Sequence, residues 1–181
     1  MKRRHFTGAL LATPWLAQAQ TDALASHLVA GACVVMIRHA QTEPGIGDPP
    51  GFQLNQCSTQ RNLSAEGRAQ AERIGKWFES RALKPGAVQS SAWCRCKDTA
   101  DLSFGRHAVW PALNSFFGQS GAKDAQTAQL RAALKRIPAG KFEVWVTHQV
   151  NMTALTGESM MMGEGLMVDT TGKVVGRSTF A

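Results

Sequence analysis

Two short apolar runs, Ala32-Cys33-Val34-Val35-Met36-Ile37 and Phe142-Glu143-Val144-Trp145-Val146, constrain the fold more than any other feature of this chain. Each is rich in branched or aromatic residues and is too short for a buried helix. Runs of this kind fit strands buried on both faces, the situation of a parallel sheet covered by helices on either side. Each run also leads into a histidine, Arg38-His39 after the first and Thr147-His148 after the second. The chain therefore delivers two imidazoles to the carboxyl ends of two buried strands.

The remaining segments alternate strand and helix patterns. A loop from Gln41 to Leu63, dense in Gly, Pro, Asn and Asp, precedes Ser64. Ser64 is placed to cap a helix that shows Ala71, Ile74, Trp77 and Phe78 on one face and stops near Lys84-Pro85-Gly86. Ala87 to Ser90 reads as a strand, followed by a helix through Ala100 to Phe104, a third strand over His107 to Trp110, and a helix over Gln126 to Ile137 that Pro138-Ala139-Gly140 breaks. A short helix over Asn151 to Leu155 and a hairpin of Leu166–Val168 with Lys173–Gly176, turning at Thr170 to Gly172, close the chain. This alternation predicts a three-layer α/β/α sandwich with a mainly parallel central sheet. With 181 residues, 44% of them hydrophobic and 18% charged, one globular domain over 31–181 is expected and a disordered or fibrous chain is excluded.

In open α/β sheets the ligand crevice lies beyond the carboxyl ends of the strands. The residues there are Arg38-His39, Ser90 to Arg95, and Thr147-His148. Two imidazoles and two guanidiniums in one crevice suit a dianion, because the guanidinium fork matches phosphate oxygens and stays charged. A neutral imidazole can attack phosphorus while cations neutralise the transition state, so the constellation points to phosphoryl transfer through a phosphohistidine.

At this point the residues resemble a family. Arg38-His39-Ala40-Gln41-Thr42 is similar to the R-H-G-x-T signature of the histidine phosphatase superfamily, which includes phosphoglycerate mutases and phosphohistidine phosphatases. Asn62-Leu63-Ser64-x-x-Gly67, Ser90-Ser91-x-x-x-Arg95-x-x-x-Thr99-Ala100 and Val146-Thr147-His148 resemble its further motifs in the same order. The resemblance implies a phosphoglycerate mutase-like fold, His39 as the nucleophile, and Arg38, Arg95 and His148 as the phosphate pocket. Gln41, Thr42 and Asn62 become candidate substrate contacts, Arg61 could serve likewise, and Trp93 is a candidate pocket wall. The chain departs from the family where an acid should protonate the leaving group. Pro111 to Phe116 contains no carboxylate, and Gln149 follows the second histidine. Glu164 and Glu158 are the candidate general acids, Glu164 slightly preferred for its flanking Gly163 and Gly165, and Asp48 is a third carboxylate within reach of the site. No cofactor and no metal is expected.

The first residues read as an address. A basic start, an apolar Thr7 to Leu16 and the small-x-small Ala17-Gln18-Ala19 fit a signal peptide over 1–19, with Arg3-Arg4 giving it a twin-arginine look, so a periplasmic or secreted protein is expected. Its removal takes Lys2, Arg3 and Arg4 and lowers the formal charge from +7 to +4. With no long basic run, that charge suits an anionic small molecule and gives no reason to expect nucleic acid or stable membrane insertion. In an oxidising compartment Cys57 is expected to pair with Cys94 or Cys96, leaving Cys33 as a buried thiol. The expected substrate is a phosphomonoester, a small phosphorylated compound or an envelope sugar phosphate, with exported heptose phosphatases as similar family members. The alternatives are a phosphohistidine phosphatase acting on a protein and a noncatalytic phosphate-binding module.

Overall fold

The computed structural model describes residues 24–118 and 120–180; the expected signal peptide over 1–19 lies outside them. Six strands form one sheet in the order β3-β2-β4-β1-β5-β6, with β1 Cys33–Arg38, β2 Ala87–Ser90, β3 Ala108–Val109, β4 Phe142–Thr147, β5 Gly165–Asp169 and β6 Val174–Ser178. The first four are mutually parallel, and β5 and β6 add an antiparallel hairpin at the β1 edge. The helices are α1 over 24–30, α2 Ala65–Glu79, α3 Cys94–Phe104, α4 Lys123–Leu134 and α5 Gln149–Thr156.

The apolar runs form the two central strands because both of their faces are needed. Val35, Ile37, Val144 and Val146 point into a core shared with α2 and α3, whereas Val34, Met36 and Trp145 point into a second core under α4 and α5. Period-two alternation along one strand thus feeds two separate cores, and the three-layer sandwich follows. Ser64 accepts from the Gly67 amide at 3.0 Å, the cap expected of it. Trp77 and Trp145 are core residues, and Trp110 packs partly buried against Trp145.

Three details differ from the sequence pattern. Helix α1 precedes the expected domain start and packs Leu24 and Leu28 into the first core. Its two inward residues make too short a pattern to read as periodic. The fourth helix starts at Lys123 and ends at Leu134, with Ile137 tucked in by tighter turn bonds from Arg136 and Ile137 back to Ala133 and Leu134. The third strand keeps only Ala108 and Val109, since β2 itself is four residues long and offers little edge to pair.

Candidate active site

Strand register brings the two histidines together. Arg38 of β1 pairs with Thr147 of β4 in parallel, and the His39 amide donates to the Thr147 carbonyl at 3.0 Å. The next residue on each strand is therefore His39 and His148, whose rings lie 5.4 Å apart. His39 Nδ1 is 2.9 Å from the Ala40 carbonyl. A carbonyl only accepts, so Nδ1 carries the proton and Nε2 keeps its lone pair. Nε2 has no hydrogen-bond partner among the described residues. The Ala40 amide in turn donates to Thr99 Oγ1 at 3.0 Å, which anchors the loop after the nucleophile to α3. Gly67 lets α2 approach that same loop: a Cβ there would stand 1.7 Å from the Gln41 carbonyl oxygen.

His148 directly follows β4 and occupies the N-cap of α5. The Ser91 hydroxyl lies 2.8 Å from its Nε2 and 3.3 Å from Asn114 Oδ1. Asn114 Oδ1 only accepts, so the Ser91 hydroxyl donates to it, and the Ser91 oxygen stands against His148 Nε2. The Trp93 ring packs edge-on against His148 at 5.2 Å, so it is a wall of this site. Burial, then the positive charge of Arg95, with Arg38 and Arg61 adding to it, lowers the pKa of His39 to about 3. The same field and burial hold His148 well below its ordinary value. Both imidazoles are neutral at physiological pH.

Three arginines share one pattern. Arg38 Nη1 donates to the Met160 carbonyl at 2.7 Å, Arg61 Nη1 to the Gly45 carbonyl at 2.6 Å, and Arg95 Nη1 to Asp48 Oδ1 at 2.7 Å. In each, Nε is buried without a partner and Nη2 meets no acceptor among the described residues. Each guanidinium is thus gripped at one corner and keeps the Nε/Nη2 edge, the edge that binds an oxyanion bidentately, unpaired. Burial and mutual repulsion lower the pKa of Arg38 and Arg61, but guanidinium stays charged. Asp48 also accepts from Trp93 Nε1 at 2.8 Å and from the Arg61 amide at 3.0 Å. Burial alone would raise its pKa, but these three donors outweigh it and the carboxyl titrates below its usual range.

A lone-pair nitrogen beside three unpaired guanidinium edges can attack a phosphoryl group and stabilise the charge that develops on it. The sequence model of the histidine phosphatase superfamily, branch 1, matches residues 34–161, most of the chain. The chain belongs to this superfamily. Among solved structures it is similar to TTHB049 from Thermus thermophilus, with 20% identity over 80% of this chain and 98% of that one and a TM-score of 0.56. It is also similar to a phosphoglycerate mutase from the same organism, with 20% identity over 80% and 97% and a TM-score of 0.55. The protein histidine phosphatase SixA complexed with tungstate matches at 15% identity over 80% and 93%, with a TM-score of 0.54. At such identities the likeness establishes the phosphoglycerate mutase-like fold. Among curated protein sequences none matches the chain.

In this member of the superfamily, Arg38, His39, Arg95 and His148 converge, and Arg61 joins them. The secondary candidates are tied into the loops: Thr42 Oγ1 donates toward Met162 Sδ at 3.7 Å, Asn62 Nδ2 donates to the Cys57 carbonyl at 2.6 Å, and exposed Gln41 supplies its main chain to Ser64 and Gln70. Buried Asn62 Oδ1 has no partner and could still meet a ligand. Glu164 Oε2 accepts from the Met161 amide at 2.9 Å and acts on Arg38 through space, whereas Glu158 is ion-paired to Arg177 at 2.5 Å, half-exposed. Sequence reasoning missed the Met160 carbonyl that grips Arg38 and the ion pair of Asp48 with Arg95. A carbonyl has no sequence signal, and a pair 47 residues apart leaves none without covariation. The disulfide is Cys57–Cys94, with Cys33 and Cys96 free and buried. Cys96 lies under the site, 3.5 Å from His148 Nε2, and burial raises its pKa to about 12.

Proposed function

We propose that this protein is an exported, metal-independent phosphatase that hydrolyses a phosphomonoester or similar small phosphorylated compound through a phosphohistidine at His39. One observation carries the reading: the unprotonated Nε2 of His39 stands among three guanidiniums whose Nε/Nη2 edges are unpaired. In the first step His39 Nε2 bonds to phosphorus as the bond to the leaving-group oxygen breaks. Arg38, Arg61, Arg95 and His148 surround the phosphoryl oxygens, and the first-turn amides of α5 lie at the same strand ends. In the second step water attacks phosphorus, the N–P bond breaks, and inorganic phosphate leaves with the proton returned to solvent. Export rests on the basic-apolar start of the sequence, and an envelope sugar phosphate is a substrate of the right charge for that compartment.

A second reading, a phosphohistidine phosphatase, is favoured by the state of the carboxylates. Asp48 is ionised on Arg95, Glu158 is paired with Arg177, and Glu164 is capped by the Met161 amide. An imidazole leaving group needs little protonation, whereas an alkoxide gains a factor of ~10²–10⁴ from an acid. One experiment tests both readings. Purified protein is assayed on aryl phosphates of graded leaving-group pKa, on a sugar phosphate and on phosphohistidine, in wild type, His39→Ala and Glu164→Gln. We expect an acid-labile phosphoenzyme in wild type that His39→Ala abolishes, with chelators inert and vanadate inhibitory. Activity surviving in His39→Ala rejects the mechanism. A slope that steepens in Glu164→Gln identifies Glu164 as the acid, and parallel steep lines point to the phosphohistidine substrate.

A further inference from the structure

We propose that Asp48 is a positioning residue that sets how tightly the pocket holds phosphate, by cancelling one guanidinium charge and by fixing three pocket groups with a single carboxylate. The inference rests on the phosphatase reading but concerns a residue and a property outside it. Asp48 Oδ1 accepts from Arg95 Nη1 at 2.7 Å and from the Arg61 amide at 3.0 Å, and its Oδ2 accepts from Trp93 Nε1 at 2.8 Å. The ion pair is almost closed to solvent, with the Arg95 and Asp48 side chains 5% and 6% exposed. Every partner belongs to the site: Arg95 and Arg61 present unpaired edges, and the Trp93 ring lies against His148. Among the described residues, Asp48 is the only carboxylate hydrogen-bonded to one of the three arginines. Arg38 is gripped by a carbonyl and an amide oxygen, Arg61 by a carbonyl, and Glu164 reaches Arg38 only through space.

A carboxylate on the Nη1 corner of Arg95 repels a dianion bound to the opposite edge of the same guanidinium. It also holds that edge in place. A pocket of three uncompensated guanidiniums would grip inorganic phosphate as strongly as it grips the transition state, and such uniform binding slows product release without speeding chemistry. Asp48 weakens the first without disordering the second. A carboxylate there simply to fold the loop would have no such signature.

The test compares wild type, Asp48→Asn and Asp48→Glu for inorganic phosphate binding by calorimetry and for kcat and KM on p-nitrophenyl phosphate. Asp48→Asn should bind phosphate about tenfold more tightly, the size of one charged interaction, while kcat falls. Asp48→Glu keeps the charge and should bind phosphate like wild type. An Asp48→Asn protein whose phosphate affinity is unchanged or weaker overturns the proposal. Should that variant fail to fold, Trp93→Phe carries the test, because it removes one anchor and keeps the charge: kcat should fall at wild-type phosphate affinity, and an affinity that falls in step with kcat overturns the proposal. Calorimetry needs no turnover, so a wild type that binds phosphate and hydrolyses no ester would reject the phosphatase reading while this inference is still decided.

Discussion

At the scale of single residues, the site is linked to folding by two imidazoles kept neutral. An unfolded histidine titrates near 6.5, whereas folded His39 titrates at about 3 because burial and the Arg95 charge disfavour its cation. Between those values the unfolded chain binds a proton that the folded chain does not. Stability therefore rises with pH across this window and is lost as pH falls from about 6.5 toward 3. His148, also lowered, adds to the loss with the same sign. Calorimetric melting should show Tm declining from pH 7 to pH 4.5, and His39→Gln should decline less steeply; equal slopes would remove His39 as a source. The same residues mark what was legible. Arg38, His39 and His148 could be found because each directly follows or ends a recognisable buried strand, and Arg95 because it sits in a spaced motif with Thr99. Asp48 could be named only as a nearby carboxylate, since its partner is fixed by loop geometry.

At the scale of elements, the loop between β1 and α2 is long, holds little regular structure and supplies Asp48 and Arg61 to the site. Besides the bonds of Asp48 to Arg95 and Trp93 and of Ala40 to Thr99, the Cys57–Cys94 disulfide and the bond from the Cys94 amide to Gln60 Oε1 at 2.9 Å bind it to α3. Cys94 is the first residue of α3 and Arg95 the second, so one covalent link registers the loop cations against the helix cation. The alternative Cys57–Cys96 pairing could not be dismissed from sequence, because the choice depends on where α3 begins to within two residues. Helix geometry decides it: Cys96 turns inward beneath His148 while Cys94 meets the loop. Closing a loop of sequence separation 37 restricts the unfolded chain by about 4 kcal/mol in the chain-entropy account. Reductant should therefore lower Tm and weaken turnover on an aryl phosphate, chiefly through KM as Arg61 loses its seat. The double variant Cys57→Ser, Cys94→Ser should reproduce that state and respond no further to reductant. Full activity in the reduced wild type would show that hydrogen bonds alone hold the loop.

At the scale of the whole molecule, the parallel sheet is what makes the chemistry legible and the substrate illegible. Strand ends must meet at one edge of such a sheet, so residues after β1, β2 and β4 had to converge, whereas the rim comes from loops whose course no periodicity reports. The charge distribution is the global property that remains measurable without knowing the substrate. The chain carries a formal +7, or +4 without the expected signal peptide, and three guanidiniums with unpaired edges focus positive potential at the mouth of the site. Raising ionic strength from ~0.01 M to ~0.15 M shortens the Debye length from ~30 Å to ~8 Å, which screens approach but not buried contacts. On p-nitrophenyl phosphate at pH 7.5, kcat/KM should fall as potassium chloride is added while kcat stays flat. The nitrophenyl group lowers the second pKa of this ester below the ~6 of an alkyl phosphate, so at pH 5 only part of the substrate is monoanionic and the salt slope should be smaller than at pH 7.5. His39 stays neutral at both pH values, because burial and Arg95 keep its pKa at about 3, and the comparison therefore changes the substrate's charge without changing the nucleophile. A slope of equal size at pH 5 and pH 7.5 would mean that salt acts on the protein rather than on the encounter of a dianion with this pocket.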